Sequence, residues 1–236
     1  MILQMKDVHV NLGLSHVLQG VDLTIQAGET VGLFGRNGVG KTTIVKTIAG
    51  WHKPSKGEIV FDGAKIDLLP ANEITRLGLG LVPEDRRIFP GLSVEDNLKL
   101  GLMQVPSSSR DAAKERIEQV FERFPRLGER RHQAGTTLSG GEQQMLAMGR
   151  VLVGKPKLLL IDEPTEGLAP MVVVEIFKLM EELKSQGIAI LLIEQNIHKA
   201  IHLCDRHYVV ERGQVVLEGN SKNENERENL IKKVSV

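Results

Sequence analysis

The stretch GRNGVGKTT, residues 35–43, follows directly on the apolar run TVGLF, residues 30–34. Its spacing, G-x-x-x-x-G-K-[ST], is typical of a loop that binds phosphate, because glycine lets backbone N–H groups approach phosphate oxygens. The apolar run has the length of a strand, and KTTIVKTIAG, residues 41–50, reads as a helix that ends at its glycine. A strand, a loop and a helix in this order predict an α/β protein with a phosphate-binding loop.

The loop and the first turn of its helix supply the expected phosphate contacts. The N-terminal dipole of the helix favours an anion, and Lys41 is expected to reach the β- and γ-phosphates of a nucleotide. The hydroxyl of Thr42 is a candidate ligand of Mg²⁺. The candidate nucleotide contacts are Gly35, Arg36, Asn37, Gly38, Val39, Gly40, Lys41, Thr42 and Thr43.

The second half of such a site is indicated by KLLLIDEP, residues 157–164. Asp162 comes at the end of an apolar run, where a carboxylate suits the outer shell of a Mg²⁺ ion. Glu163 is placed to orient and polarise an attacking water, which is the role that a nucleotide hydrolase requires. Acidic turns at strand ends are common, so this interpretation depends on the phosphate loop being present in the same chain.

A third stretch, TLSGGEQQ, residues 137–144, predicts a second anion-binding helix start. One nucleotide has a single γ-phosphate, and the first loop already holds it from one side. We therefore expect this stretch to cap a nucleotide held by a partner chain, so that one chain carries half of a two-chain site. The candidate contacts to the partner's nucleotide are Ser139, Gly140, Gly141 and Glu142.

The rest of the chain alternates strand-like and helix-like segments at both ends. Residues 157–162 and 188–194 are apolar runs typical of strands buried on both faces, with a helical pattern between them. This order predicts a mostly parallel sheet flanked by helices. From about residue 88 to 155, helical patterns follow one another without strands, which predicts a helical subdomain inserted into a single domain of residues 1–236. The polar tail, residues 220–236, is expected to be a loosely held terminus.

Composition narrows the functional classes. Lys and Arg total 30, as do Asp and Glu, so the chain lacks the basic excess of a general nucleic-acid binder. The single cysteine, Cys204, excludes an intrachain disulfide and is expected to be a small buried side chain. We find neither a secretory signal nor an apolar run of the roughly 18–20 residues that span a bilayer. A GTPase is disfavoured because AKID, residues 64–67, lacks the amide that recognises guanine.

The motifs resemble those of the nucleotide-binding domain of ABC transporters, over the chain to about residue 219. GRNGVGKTT, LSGGEQQ and LLLIDEP match the Walker A, signature and Walker B motifs of that family in order and spacing. The finer resemblance is to the ATPase subunits of bacterial branched-chain amino-acid importers, in LVPEDRRIFPGLSVEDNL, DEPTEGLAP and LLIEQN. The family implies the P-loop NTPase fold, with a core sheet, a helical subdomain and an N-terminal antiparallel β-subdomain. It also implies two chains that sandwich two ATP molecules head to tail.

Three of the positions that depart from the usual family pattern bear directly on the nucleotide site. Glu84 stands where most members have a glutamine, and we expect its carboxylate to join Thr42 and Asp162 as a Mg²⁺ ligand. Gln195 replaces the usual switch histidine; its amide can donate to the γ-phosphate but cannot gain a proton, so we expect it to position phosphate beside the essential Glu163. Leu12 stands where a tyrosine usually stacks on adenine, and an aliphatic side chain lacks that stacking.

The resemblance implies an ATPase that couples ATP hydrolysis to solute import, with ATP and Mg²⁺ as cofactors. Branched-chain amino acids are the first expectation for the solute, urea or short amides the second, and a non-transport ABC ATPase a third. The implied partners are a second ATPase subunit (as a homodimer or paralogous heterodimer), transmembrane permease subunits and, indirectly, a solute-binding protein, with no nucleic acid. The implied location is the cytoplasmic face of the inner membrane, with permease contacts near Glu84, Arg86, Arg87, Phe89 and Pro90.

Overall fold

The computed structural model describes residues 1–103 and 110–235. Its strands are β1 (Leu3–Leu12), β2 (Ser15–Ile25), β3 (Thr30–Phe34), β4 (Lys56–Phe61), β5 (Ala64–Lys65), β6 (Leu79–Val82), β7 (Leu158–Asp162), β8 (Ala189–Ile193), β9 (Arg206–Glu211) and β10 (Gln214–Asn220). Its α-helices are α1 (Lys41–Ile48), α2 (Ala71–Arg76), α3 (Val94–Leu102), α4 (Arg110–Arg123), α5 (Pro125–Glu129), α6 (Gly140–Leu152), α7 (Pro170–Ser185), α8 (Ile197–Leu203) and α9 (Glu224–Ser235). The described part therefore has the predicted α/β composition.

A six-stranded sheet in the order β10-β9-β3-β8-β7-β6 forms the centre of the molecule. All neighbouring strands in it are parallel except β9 and β10. Every residue of β3, β7 and β8 is buried, as expected for strands with both faces covered. The predicted mostly parallel sheet is confirmed.

A second, four-stranded sheet in the order β2-β1-β4-β5 is antiparallel throughout, which confirms the antiparallel subdomain that the resemblance implied. Its apolar face joins α1 and one face of the central sheet in one core that includes Leu3, Val31 and Ile44. The opposite face of the central sheet packs on α6, α7 and α8 in a second core that includes Ile161 and Met180.

The middle of the chain is helical, with α3 to α6 around a third core that includes Leu98, Val120, Phe121 and Leu146. The sequence SVEDNLKLGL, residues 93–102, predicts a helix capped by Ser93. Ser93 does cap α3, because its hydroxyl accepts a hydrogen bond from the backbone N–H of Asp96 at 3.0 Å. The pattern of SSSRDAAKERIEQVFERF, residues 107–124, predicts the helix that α4 forms, and the first residues of that stretch, 107–109, lie outside the described part of the chain.

The prediction of a loosely held terminus is wrong. Residues Glu224–Ser235 form α9, and Leu230 is completely buried in the second core, with Val234 packed beside it. The polar composition of the tail obscured this pair, whose four-residue spacing places both apolar side chains on one face of a helix. The start of the helix is fastened by Glu226, whose carboxylate accepts from the backbone N–H of Asn220 at 2.7 Å.

The remaining expectations concern the single cysteine and the length of the apolar segments. Cys204 is buried, and this burial raises the pKa of its thiol, as expected for a small core residue. Among the described residues, we find no helix with the length and apolar character needed to cross a membrane.

Candidate nucleotide-binding site

The carboxyl ends of β3, β7 and β8 meet at one edge of the central sheet. Ile193 of β8 is in register with Leu33 of β3 and with Asp162 of β7. The residues that follow these strands are the phosphate loop, Glu163 and Gln195, and the parallel register therefore brings them together. Such an edge is where open α/β sheets bind their ligands.

The cavity at this edge has a volume of about 280 Å³. Its lining brings together residues from four stretches of the chain that the sequence singled out. They are the loop, with Asn37, Gly38, Gly40, Lys41, Thr42 and Thr43, and the stretches that contain Glu84, Glu163 and Gln195. Two further lining residues, Val17 and Glu166, were not singled out from the sequence. Glu166 follows Glu163 by three residues, so the second glutamate of DEPTEG, residues 162–167, was the available signal. Val17 had none beyond its place in an apolar strand pattern.

The loop needs glycine at two positions for different reasons. Gly35 has a φ of 144°, and a Cβ there would lie 2.3 Å from the carbonyl oxygen of Val210, so the loop packs directly on β9. Gly40, with a φ of 113°, precedes α1, and no side chain caps that helix. The first N–H groups of α1 are therefore left to an anion, and this arrangement fits a phosphate group.

Lys41 is 5% exposed, and its ammonium donates to the carbonyl oxygens of Gly35 at 2.8 Å and Arg36 at 2.9 Å. Burial lowers the pKa of this lysine, and the carboxylates of Glu163 and Asp162 oppose that shift. The amine is thus held within its own loop, beside the acidic residues that follow β7.

Asp162 is 3% exposed, and burial raises the pKa of its carboxyl to about 6. A hydrogen bond from Thr42 opposes this shift, while the charges of Glu163 and Glu84 add to it. Within the described parts of the chain, Oδ1 of Asp162 has no hydrogen-bond partner. A buried carboxylate with an unsatisfied oxygen fits a divalent cation, and the oxygen-only donors Thr42, Asp162 and Glu84 suit Mg²⁺.

Glu163 and Gln195 are in direct contact. The amide Nε2 of Gln195 donates to Oε2 of Glu163 at 2.5 Å. Glu163 has a φ of 46°, a conformation that a non-glycine residue rarely adopts, and its N–H donates to the carbonyl oxygen of Ile193 at 2.9 Å. Strain of this kind is common at functional positions, and it fixes where the carboxylate leaves the end of β7.

Three acids come together beside Lys41. Carboxylate oxygens of Glu84, Glu163 and Glu166 all lie within 4.8 Å of one another. Burial and the charges of Glu163 and Glu84 raise the pKa of Glu166. The cavity therefore combines the helix start and one lysine with a concentration of negative charge, which a cation would relieve.

The stretch around Ser139 lies outside this cavity. Ser139, Gly141 and Glu142 line a different one, against α7. Ser139 and Glu142 form a capping box at the start of α6, with the N–H of Ser139 donating to the Glu142 carboxylate at 2.8 Å. A Cβ on Gly141 would lie 2.8 Å from Val172, so this glycine is also required where α6 meets α7. One chain does not bring the two predicted halves together.

Leu12 lies at the end of β1, with 38% of its surface exposed, and Val17 rather than Leu12 lines the cavity.

The segment that follows Glu84 is held by Arg150. The guanidinium of Arg150 donates to the carbonyl oxygens of Arg87 at 2.7 Å and Arg86 at 3.0 Å. The guanidinium of Arg87 lies 4.4 Å from the ring centre of Trp51. Phe89 is 47% exposed, so this corner presents aromatic and cationic surface.

Comparison with known proteins places this geometry among ATP-binding cassettes. Residues 18–166 match the family model described as ABC transporter. The chain is 42% identical to the high-affinity branched-chain amino acid transport ATP-binding protein BraG of Pseudomonas aeruginosa, over 92% of this chain and 91% of that protein. It is 35% identical to the lipopolysaccharide export system ATP-binding protein LptB of Escherichia coli, over 86% of this chain and 84% of that protein.

A solved structure of a dimeric ATP-binding cassette in a post-hydrolysis state, bound to ADP and phosphate, superposes with a TM-score of 0.84. The two sequences are 25% identical, and the match covers 94% of this chain and all of the other.

Proposed function

The chain belongs to the ABC transporter family and is an ATPase, and on this premise we propose that it drives the import of branched-chain amino acids. The observation that supports this solute is the 42% identity to a branched-chain amino acid transport ATP-binding protein along nearly the whole of both chains. We treat residues 1–236 as one ATPase domain with a helical subdomain at about 88–155.

The residues of the cavity have separate parts in hydrolysis under this proposal. The N–H groups at the start of α1 and the ammonium of Lys41 bind the β- and γ-phosphates. Glu163, held at the end of β7, accepts a hydrogen bond from the attacking water and polarises it. Gln195 donates to Glu163 and orients that carboxylate, and its amide lies at the same edge to donate to the γ-phosphate. The base is therefore Glu163, while Gln195 moves no proton.

Thr42, Asp162 and Glu84 are the residues that would hold Mg²⁺, since they supply hard oxygen donors around a buried carboxylate. Bound there, the ion would neutralise charge on the phosphates and stabilise the ionised form of Asp162. Glu84 brings a full negative charge where an amide would bring a dipole, so we infer a stronger dependence on the divalent cation.

We propose that two chains share each nucleotide. Ser139 and Glu142 cap the start of α6, away from the cavity of their own chain, and a second chain would face that helix start across the bound phosphates. The dimeric relative supports this arrangement. The second subunit is either a copy of this chain or a paralogue. Closure with ATP and opening after hydrolysis would then form a two-state switch.

The corner formed by Trp51, Arg87 and Phe89 is our candidate contact for the transmembrane permease subunits. Arg87 is three residues after Glu84 in the chain, and Glu84 lines the cavity. Movement of a partner at this corner would therefore be transmitted to the cavity through this short segment. The protein would then work at the cytoplasmic face of the inner membrane, with a solute-binding protein delivering cargo to the permease and not to this chain.

A second candidate is export of a lipid-linked substrate, which the 35% identity to LptB favours. Uptake assays separate the two. Cells lacking the gene should lose accumulation of radiolabelled leucine, and the wild-type gene but not Glu163→Gln should restore it. Unchanged leucine uptake would contradict the proposal, and loss of urea or acetamide uptake instead would reassign the solute within the same branch.

A further inference from the structure

A second cavity borders the phosphate loop and shares no lining residue with the first. We call it the rear cavity; its volume is about 510 Å³, within the range of small-molecule sites. Three parts of the chain form its walls. The loop contributes Gly35, Arg36 and Val39, β9 and the turn after it contribute Val209, Glu211 and Arg212, and α9 contributes Lys232, Lys233 and Val234.

The rear cavity is strongly basic in a chain whose formal net charge is zero. Four cationic side chains and one carboxylate line it: Arg36, Arg212, Lys232, Lys233 and Glu211. Lys233 pairs with Glu211 at 3.3 Å, and Lys232 makes an exposed pair with Glu228 at 3.6 Å, which contributes little. Within residues 1–103 and 110–235, neither guanidinium, Arg36 or Arg212, has an ion-pair partner.

The walls are connected through the backbone. The N–H of Gly213, next to Arg212, donates to the carbonyl oxygen of Val39 at 2.9 Å, and its own carbonyl accepts from Gln19 at 2.9 Å. A Cβ at Gly213 would lie 2.0 Å from the carbonyl oxygen of Val17, so this turn is packed tightly against β2. The turn that carries Arg212 is thus fixed to the loop that carries Arg36, and the two guanidiniums border a preformed space.

The third wall is anchored by Leu230, whose side chain is completely buried. Lys232 and Lys233 follow it within one helical turn, so the anchor holds the backbone that carries them where Lys233 pairs with Glu211 of β9. Val39, Val209 and Val234 add an apolar component to the lining. A preformed space with cations around it and apolar patches suits an organic molecule that carries several negative charges.

We propose that the rear cavity binds a small soluble molecule carrying a diphosphate or triphosphate group. Guanidinium groups match phosphate oxygens with paired N–H donors, and two unpaired ones at one cavity favour an extended phosphate chain over a single carboxylate. This site adjoins the phosphate loop but shares no lining residue with the nucleotide cavity, and a second ligand there goes beyond the proposed function. A molecule bound there would connect the phosphate loop to α9, and so would stabilise both against opening.

The test uses inorganic triphosphate and isothermal titration calorimetry on the full chain. The parent variant is Lys41→Ala, which weakens binding at the phosphate loop, so that saturable binding reports on the rear cavity. Adding Arg212→Gln and Lys232→Gln should weaken that binding by about tenfold or more, because two charged contacts are lost. The matched control adds Lys6→Gln and Lys53→Gln, two exposed lysines outside the lining, and should bind as the parent does.

If the phosphate loop of Lys41→Ala retains some affinity for triphosphate, the three proteins can still be compared, because this remaining binding is the same in all of them. Thermal melts followed by circular dichroism should show the same midpoint for the three, since every added substitution is on the surface. No saturable binding to the parent, or equal loss in the control, would overturn the proposal. Binding of anionic phospholipid vesicles without binding of triphosphate would also overturn it, by identifying a lipid headgroup as the source of the phosphate.

Discussion

The two cavities beside the phosphate loop have opposite charge. The front cavity is the nucleotide cavity at the ends of β3, β7 and β8. It holds Glu84, Glu163 and Glu166, with the buried Asp162 behind them, around a single lysine. The rear cavity is lined by four cations and one carboxylate. Both share the loop as a wall, and in the front cavity burial and the charges of neighbouring acids raise the pKa values of Asp162 and Glu166. Under the proposed function, burial and strained geometry at a strand end, and not charge alone, distinguish the front cavity from the rear one.

The largest expected effect is the loss of ATP hydrolysis when Glu163 of the front cavity is changed. Glu163→Gln should lower ATP hydrolysis by about 10²–10⁴-fold, because the amide cannot take a proton from water. ATP binding should persist, since Lys41 and the start of α1 are unchanged. Hydrolysis is measured by phosphate release, and size-exclusion chromatography with ATP and Mg²⁺ should show a dimer that is absent without nucleotide.

Two matched variants sharpen this test. Glu166→Gln removes a neighbouring charge and should retain most activity, while Gln195→Ala should lower activity without changing the pH dependence. Hydrolysis lost in Gln195→Ala but intact in Glu163→Gln would contradict the assignment of Glu163 as the base. A Glu163→Gln protein that binds ATP and stays monomeric would show that membrane subunits are needed for pairing, or that Ser139 has no role across a dimer.

The rear cavity depends on the anchoring of α9. Leu230→Ala should destabilise the protein by about 2–5 kcal/mol, because it leaves a void in the second core. Denaturant unfolding measures this change, and Val216→Ala, an exposed position on β10, is the control. A destabilisation of Leu230→Ala no larger than that of the control would show that α9 is not held, and the rear cavity would lose a wall.

Asp162 tests the electrostatics of the front cavity. Its folded pKa is about 6 against an ordinary 3.8, so without a cation the ionised carboxylate destabilises the fold above pH 6. That penalty, about 3 kcal/mol, should be relieved as the pH falls from 6 towards 4 and the carboxyl gains its proton. Asp162→Asn should therefore raise the melting temperature of the metal-free protein at pH 8 and flatten its pH profile between 6 and 4.

Added Mg²⁺ provides the companion measurement. It should raise the melting temperature of the wild type at pH 8 and leave Asp162→Asn nearly unchanged. If Asp162→Asn is less stable than the wild type at pH 8 without Mg²⁺, then the burial penalty is not the dominant contribution at this position.

The smallest expected effect concerns the adenine. Leu12→Tyr should tighten ATP binding by about 1–3 kcal/mol through stacking on the base. Leu14→Tyr, at the fully exposed tip of the same hairpin, is the matched control and should leave affinity unchanged. Equal affinities for Leu12→Tyr and wild type, measured with a fluorescent ATP analogue, would indicate that Val17 and not Leu12 faces the base.

Much of the front cavity was predictable because its signals are local. The strand before the loop, the glycines of the loop and the helix after it all lie within residues 30–48, and the acids Asp162 and Glu163 stand at the end of β7. Caps such as Ser93 and Ser139 are also short-range, since a side chain bonds to an N–H three residues on. Parallel strands then join these ends at one edge, so βαβ order predicted that the loop meets Asp162 and Glu163, while Glu84 and Gln195 were assigned from the family resemblance.

The rear cavity and α9 were not predictable in this way. Leu230 and Val234 are two apolar residues in a polar segment, and their burial depends on a core built by strands far away in the chain. The contribution of Glu166 and Val17 to the front cavity depends likewise on how distant segments pack. Apart from α9, the sequence determined the main elements, their order and the chemistry at the strand ends, because these depend on neighbours along the chain. Which surfaces meet, and so which charges surround the back of the loop, was decided by long-range packing.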